Sequence, residues 1–156
     1  MKLTTLGVTF GYGVETVAGT KPTTFKQLKG CDSIPEINLE PEQIDVSSLE
    51  DYTSQYADGR QDTGGSWAPT FSADPENIEA LGAMIEESQT AKESNKRTWF
   101  QVIIPGLDKA FFVIASPGRK IGMPSMDQNS KLTVTMSLTI NEYFGLDAKV
   151  AFETGE

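Results

Sequence analysis

The chain has 156 residues, 38% of them hydrophobic and 22% charged, which fits one globular domain with its own core. Its 13 basic and 22 acidic residues give a net charge of −9, which excludes the basic footprint of a DNA-gripping protein. With no histidine and only Cys31 as a cysteine, Ser-His-Asp and Cys-His nucleophiles, internal disulfides and a structural zinc site are excluded.

The N-terminus lacks a continuous apolar signal region, and no apolar run approaches the ~20 residues of a membrane helix. The expected setting is a cytosol, with no membrane partner and no Sec-type route out.

Residues 1–24 open with an alternation. Leu6, Val8, Phe10, Tyr12 and Val14 fall on one side and Gly7, Thr9, Gly11 and Gly13 on the other. Glycines along one face weaken an independent strand and admit another backbone. The segment is expected to be an arm, either frayed or ordered against a neighbouring subunit. Two strands follow, Phe25–Lys29 and Ile34–Val46. In the second, Ile37 and Leu39, then Ile44 and Val46, lie two apart, while Pro35 and Pro41 call for an edge position or an interruption.

Asp45–Trp67, DVSSLEDYTSQYADGRQDTGGSW, keeps no apolar period of 3.6 or 2 and reads as a long excursion from a sheet. Loops of this length are usually functional or disordered. Glu50, Asp51, Asp58 and Asp62 stand against a single Arg60. Tyr52, Tyr56 and Arg60 recur at i, i+4 and i+8, so they fall near one face if the segment becomes helical on docking. All three are residue types enriched in interface hot spots. Gly64-Gly65 is the expected pivot back to the sheet, where Trp67, Pro69 and Phe71 share a strand face.

Asp74-Pro75 starts a helix placed at about residues 75–90, with an apolar stripe of Ile78, Leu81 and Ile85 flanked by Met84. Trp99–Ile104 and Ala110–Ala115 are expected to form a hairpin. RKIGMPSM is a short irregular strand or connection. Lys131–Asn141 alternates without exception, Leu132, Val134, Met136, Leu138 and Ile140 against a threonine-rich polar face. That is a half-buried strand about 36 Å long at ~3.3 Å per residue. Residues 144–156 form a mostly acidic tail with a weak alternation at Val150 and Phe152. Together these elements make a mostly antiparallel β domain with one helix.

Chemistry finds little support. Gly11-Tyr12-Gly13 is half a dinucleotide fingerprint without the third glycine. The pairs Glu50-Asp51 and Glu86-Glu87 are glycosidase candidates by residue type alone, and Asp58 with Asp62 lacks diagnostic calcium spacing. No catalytic, cofactor-binding or metal-binding residue is expected, and an enzyme is not.

The run SLEDYTSQYADGRQDTGGSW, preceded by GVTFGYGVET and INLEPEQIDVSSL, resembles the major tail (tail tube) proteins of long non-contractile-tailed bacteriophages. RTWFQVIIPG, AFFVIASPG and KLTVTMSLTINEY extend the resemblance over nearly the whole chain. It implies one β-sandwich or split-barrel domain with a flanking helix, spanning residues 1–156. Six subunits would form a ring whose joined sheets line a lumen, and rings would stack around a tape measure protein. Tail tip or baseplate and tail terminator proteins would bound the tube, and viral DNA would pass through without specific binding. The acidic total suits such a conduit, since like charge removes the counterion-release attraction.

The resemblance also implies assembly in the host bacterial cytoplasm and a final place in the virion. An assembly loop at residues 47–64 would carry Leu49, Tyr52, Tyr56, Arg60 and Gly64, with Gly65 behind it. The N-terminal arm would dock through Leu6, Val8, Phe10 and Tyr12. The alternative reading is a β-sandwich carbohydrate-binding module with Tyr52, Tyr56, Trp67 and Trp99 as platform candidates.

Overall fold

The computed structural model of the chain describes residues 2–153, the side chains of residues 62 and 153 excepted. In order, the elements are β1 (Thr9–Val14), β2 (Phe25–Leu28), β3 (Cys31–Ser33), β4 (Glu40–Asp45), β5 (Tyr56–Asp62), β6 (Ser66–Trp67) and β7 (Thr70–Ser72). Then come α1 (Pro75–Glu93), β8 (Thr98–Ile103), β9 (Lys109–Pro117), β10 (Thr133–Thr135), β11 (Leu138–Ala148) and β12 (Phe152–Glu153). Seven strands form one sheet in the order β12-β2-β1-β8-β9-β11-β6, and three form a second in the order β10-β7-β3. β4 and β5 pair with each other as a separate ribbon. The β8–β9 hairpin is antiparallel as expected, and among the described residues only β12 runs parallel to its partner, β2. The architecture is the mainly β, sandwich-like one anticipated, with one helix and no closed barrel among the described residues.

Two neighbouring segments carry the chain from one sheet to the other. Trp67 opposes Leu138 in the large sheet, and Phe71 opposes Val134 in the small one. Between them the Met136 N–H donates to Pro69 O at 2.9 Å, so the ladder bends without breaking. The uninterrupted alternation read over 131–141 is therefore two strands, β10 and β11. Val134, Met136 and Leu138 keep facing the same core across the bend.

That core lies between the sheets and α1. Phe10 sits at its centre, with ring centroids of Trp67, Phe71 and Phe100 at 5.6, 5.6 and 5.7 Å. Fully burying one such ring stabilises by about 1.5–3 kcal/mol. The helix contributes Leu81, Met84 and Ile85, with Asn77, Ser88 and Ala91 also buried. The expected stripe is thus rotated. Asn77 takes the inward position because its amide donates to Ser72 O at 3.0 Å, and Ile78 moves to the exposed rim. α1 also runs past the expected end, closing where Asn95 adopts φ +59° and Lys96 N–H reaches Ala91 O at 2.9 Å.

A second apolar cluster covers the opposite face of the large sheet: Phe25, Trp99, Ala110, Phe112 and Ile114, with Val150 and Phe152 against them. It explains the glycine face of β1. A Cβ on Gly11 would meet Lys26 O at 2.5 Å and the Phe152 ring, and one on Gly13 would meet Thr24 O at 2.5 Å. Buried Gln101 fastens the incoming C-terminal segment: its amide donates to Val150 O and accepts from Val150 N–H, both at 2.8 Å.

Several expectations change accordingly. Most of the arm read over 1–24 is not an arm: β1 lies between β2 and β8, and Phe10 and Tyr12 are only 2% and 4% exposed. They are buried because their alternation is that of a sheet interior, and Val8 packs against the same core. Leu6 alone of the four arm candidates projects into solvent. The strand read over 34–46 reduces to the exposed β4, with Ile34 and Ile37 lying against the core outside any strand. The tail read from 144 onward instead supplies the end of β11 and β12. Met1 and residues 154–156 lie outside the described residues.

Candidate assembly interface

Much of the segment read as a long excursion from a sheet forms a hairpin with the residues before it. Register pairs Glu40 with Asp62, Gln43 with Asp58, Ile44 with Ala57 and Asp45 with Tyr56, with a bulge between Pro41 and Gln43. The ribbon continues one rung further, Val46 N–H donating to Gln55 O at 3.0 Å. Tyr56 and Asp58 therefore share a strand face, while Arg60 falls in the bulge between the Asp58 and Gln61 pairs, and the helical spacing with Tyr52 is not used.

The two faces of the ribbon differ. Tyr56, Asp58 and Gln61 lie on one, with Asp45, Gln43 and Pro41 opposite them across the strands. Ile44 and Ala57 lie on the other, and Val46 follows two residues on. Ile44 and Val46, read as alternating positions of the strand over 34–46, are 51% and 54% exposed. A two-stranded ribbon is at most marginally stable by itself in water. Here its unpaired outer edges and half-solvated aliphatic face are available to a partner.

The tip is locally ordered. Ser47 N–H donates to Asp45 Oδ1 at 2.9 Å, which holds the Asp45 carboxyl below the usual carboxylate range. Ser48 N–H donates to Asp51 Oδ2 at 2.8 Å, while Asp51 N–H returns to Ser48 O at 3.1 Å. Gln55 N–H donates to Ser47 Oγ at 2.5 Å. Leu49 and Tyr52 project from this tip fully exposed. At the ribbon's foot Gly64 and Gly65 adopt φ +86° and +78°, which only glycine takes readily, and turn the chain into β6.

Trp67 and Trp99 are buried, at 3% and 2% exposure. The Trp67 indole donates to Pro35 O and that of Trp99 to Glu15, both edges being used internally. Neither ring offers a face to a sugar. Of the carboxylate pairs, Glu50-Asp51 belongs to the exposed tip, while Glu87 accepts from the Tyr12 hydroxyl at 2.9 Å and from Lys26 at 3.0 Å. Burial, then that bond and the Glu87 charge, push the Tyr12 phenol well above its usual value. Burial, with the neighbouring Asp32 carboxylate, pushes the Cys31 thiol up to about 11.

A second exposed region was read as a short irregular strand or connection. No strand or helix is assigned between Pro117 and Thr133. Ile121 anchors this loop against the core, while Met123 and Met126 are 87% and 65% exposed. Arg119 and Lys120 stand exposed beside them and enter no ion pair among the described residues.

No protein-family model matches the chain, and no curated protein sequence matches it. Among solved structures it is similar to a chain in the cryo-EM structure of the anti-feeding prophage (AFP) baseplate, 6-fold symmetrised. The two share 14% identity over 92% of this chain and 94% of that one, with a TM-score of 0.54. At that identity the likeness is one of fold.

Proposed function

We propose that the chain is a phage-tail-type structural subunit, not an enzyme, that self-assembles into stacked hexameric rings forming a tail tube. The observation that carries this is the β4–β5 ribbon. It projects from a helix-flanked sandwich with Ile44, Val46, Leu49, Tyr52 and Tyr56 in solvent and is ordered down to its tip. Solvated apolar side chains on an ordered element have physical sense when a partner covers them. The fold likeness to a chain of a six-fold-symmetrised prophage baseplate supports the same reading.

In such a tube the lumen first holds a tape measure protein and then passes DNA. Tail tip or baseplate and terminator proteins cap the ends, and the virion is the final location after assembly in the bacterial cytoplasm. The baseplate likeness also favours a narrower variant, in which the ring sits at the baseplate end and does not repeat. Amine cross-linking over a concentration series, followed by electron microscopy, tests both. Six-membered products and long stacks are expected for a tube subunit, and single or double rings for an end ring. A chain that stays uncross-linked monomer at every concentration refutes the proposal.

A further inference from the structure

The ribbon needs a receiving surface, and the structure assigns one: we propose that the loop between β9 and β10 binds the β4–β5 ribbon of a second copy. This rests on the reading of the ribbon as an assembly element. Two observations support it.

The first is charge. Between positions 36 and 62 Arg60 is the only base, so the ribbon is strongly acidic. Between positions 118 and 130 Asp127 is the only acid, against Arg119 and Lys120. Lys92, in the last turn of α1, lines one depression with Arg119, Gln89 and Glu93, which extends the basic edge. Lys92, Arg119 and Lys120 have no ion-pair partner among the described residues.

The second is apolar exposure. The ribbon tip offers Leu49 and Tyr52, and the loop offers Met123 and Met126. Methionine adapts its shape and its sulfur packs well against aromatic rings, which suits a tyrosine-bearing tip. Within one chain the two surfaces do not meet: no ion pair joins them among the described residues, and the tip and Met123 remain open to solvent. One patch meeting a different patch on the next copy is a heterologous contact, which closes into a ring or propagates as a stack.

The test uses Cys31→Ser chains carrying either Tyr52→Cys or Met123→Cys, mixed and treated with a short bismaleimide. The unlike covalent dimer should exceed both like dimers by roughly tenfold, as expected where docking raises local concentration. Arg119→Glu/Lys120→Glu should raise the concentration needed for assembly about tenfold or more, since attractive surface pairs become repulsive. Adding Glu50→Lys/Asp58→Lys should restore it. A Leu49→Ser/Tyr52→Ser chain separates the two claims. If it fails to assemble while unlike dimers form only at the level of like ones, the ribbon docks elsewhere and this inference is overturned. If it assembles as wild type does, the ribbon reading itself falls.

Discussion

Glu15 belongs to none of the apolar patterns in the sequence, yet its carboxylate ties three parts of the fold together. It accepts from the Trp99 indole at 2.9 Å, Arg97 N–H at 2.7 Å, Gly19 N–H at 3.2 Å and Arg97 Nε at 3.3 Å. Its side chain is fully buried, and Arg97 reaches on to Glu142 at 3.0 Å. Burial alone would raise this carboxyl. The indole bond, the two backbone bonds and the Arg97 charge outweigh it and hold the group below the usual carboxylate range. A depressed folded-state pKa adds stability above the unfolded value of about 4.3, and that stability is lost as pH falls through the folded value. Glu15→Gln should therefore cost about 2–4 kcal/mol at pH 7, since buried donors lose a charged acceptor. Urea unfolding at stepped pH should show the gap between wild type and variant closing below about pH 4. A gap that stays constant down to pH 2 would mean that the charge contributes nothing.

At the scale of elements, the legible ones are those with a clear inside and outside. β8 and β9 were readable because Trp99–Ile104 and Ala110–Ala115 are apolar runs punctuated by Pro105-Gly106. β4 was read as part of too long a strand because all six of its residues are exposed, so alternation leaves no contrast, and β5 was missed because it carries only Tyr56 and Ala57 among polar residues and glycine. The bend between β10 and β11 was hidden for the opposite reason: the same face stays inward while the strand changes sheet, so the period continues across the corner. Gly64-Gly65 was recognised as a pivot, and its positive φ angles give that reading a mechanism. Gly65→Val should cost roughly 1–2 kcal/mol, because a left-handed conformation is poor for L-residues and worse for β-branched ones. A Cβ there meets nothing within 4 Å, so the penalty is conformational and the ribbon should swing rather than the core break. Thermal unfolding would register a small loss, and assembly by light scattering a large one. Unchanged assembly would show that the ribbon's exit angle is irrelevant.

At the scale of the molecule, the main surprise is how the ends are used. An apparent arm supplies β1 inside the large sheet, and an apparent tail supplies Phe152 over Gly11 and the backbone that Gln101 grips. Periodicity identified Phe10 and Tyr12 as one face but could not tell a sheet interior from an arm, because partners far along the chain decide that. The ribbon is the reverse case: it contributes no residue to either apolar cluster. Glu40 and Asp62 face each other across its foot, roughly 5 Å apart for paired strands, so a two- to four-residue Gly-Ser link can close the gap left by removing residues 41–61. Since the core loses nothing, the excised chain should melt within a few degrees of wild type, a change of about 1 kcal/mol or less. Its monomer should show the same β-rich circular dichroism, while cross-linked rings or stacks should disappear. Rings that persist without the ribbon would move the interface to the sheet edges, where β11, among the described residues, is unpaired on one side beyond its short contact with β6.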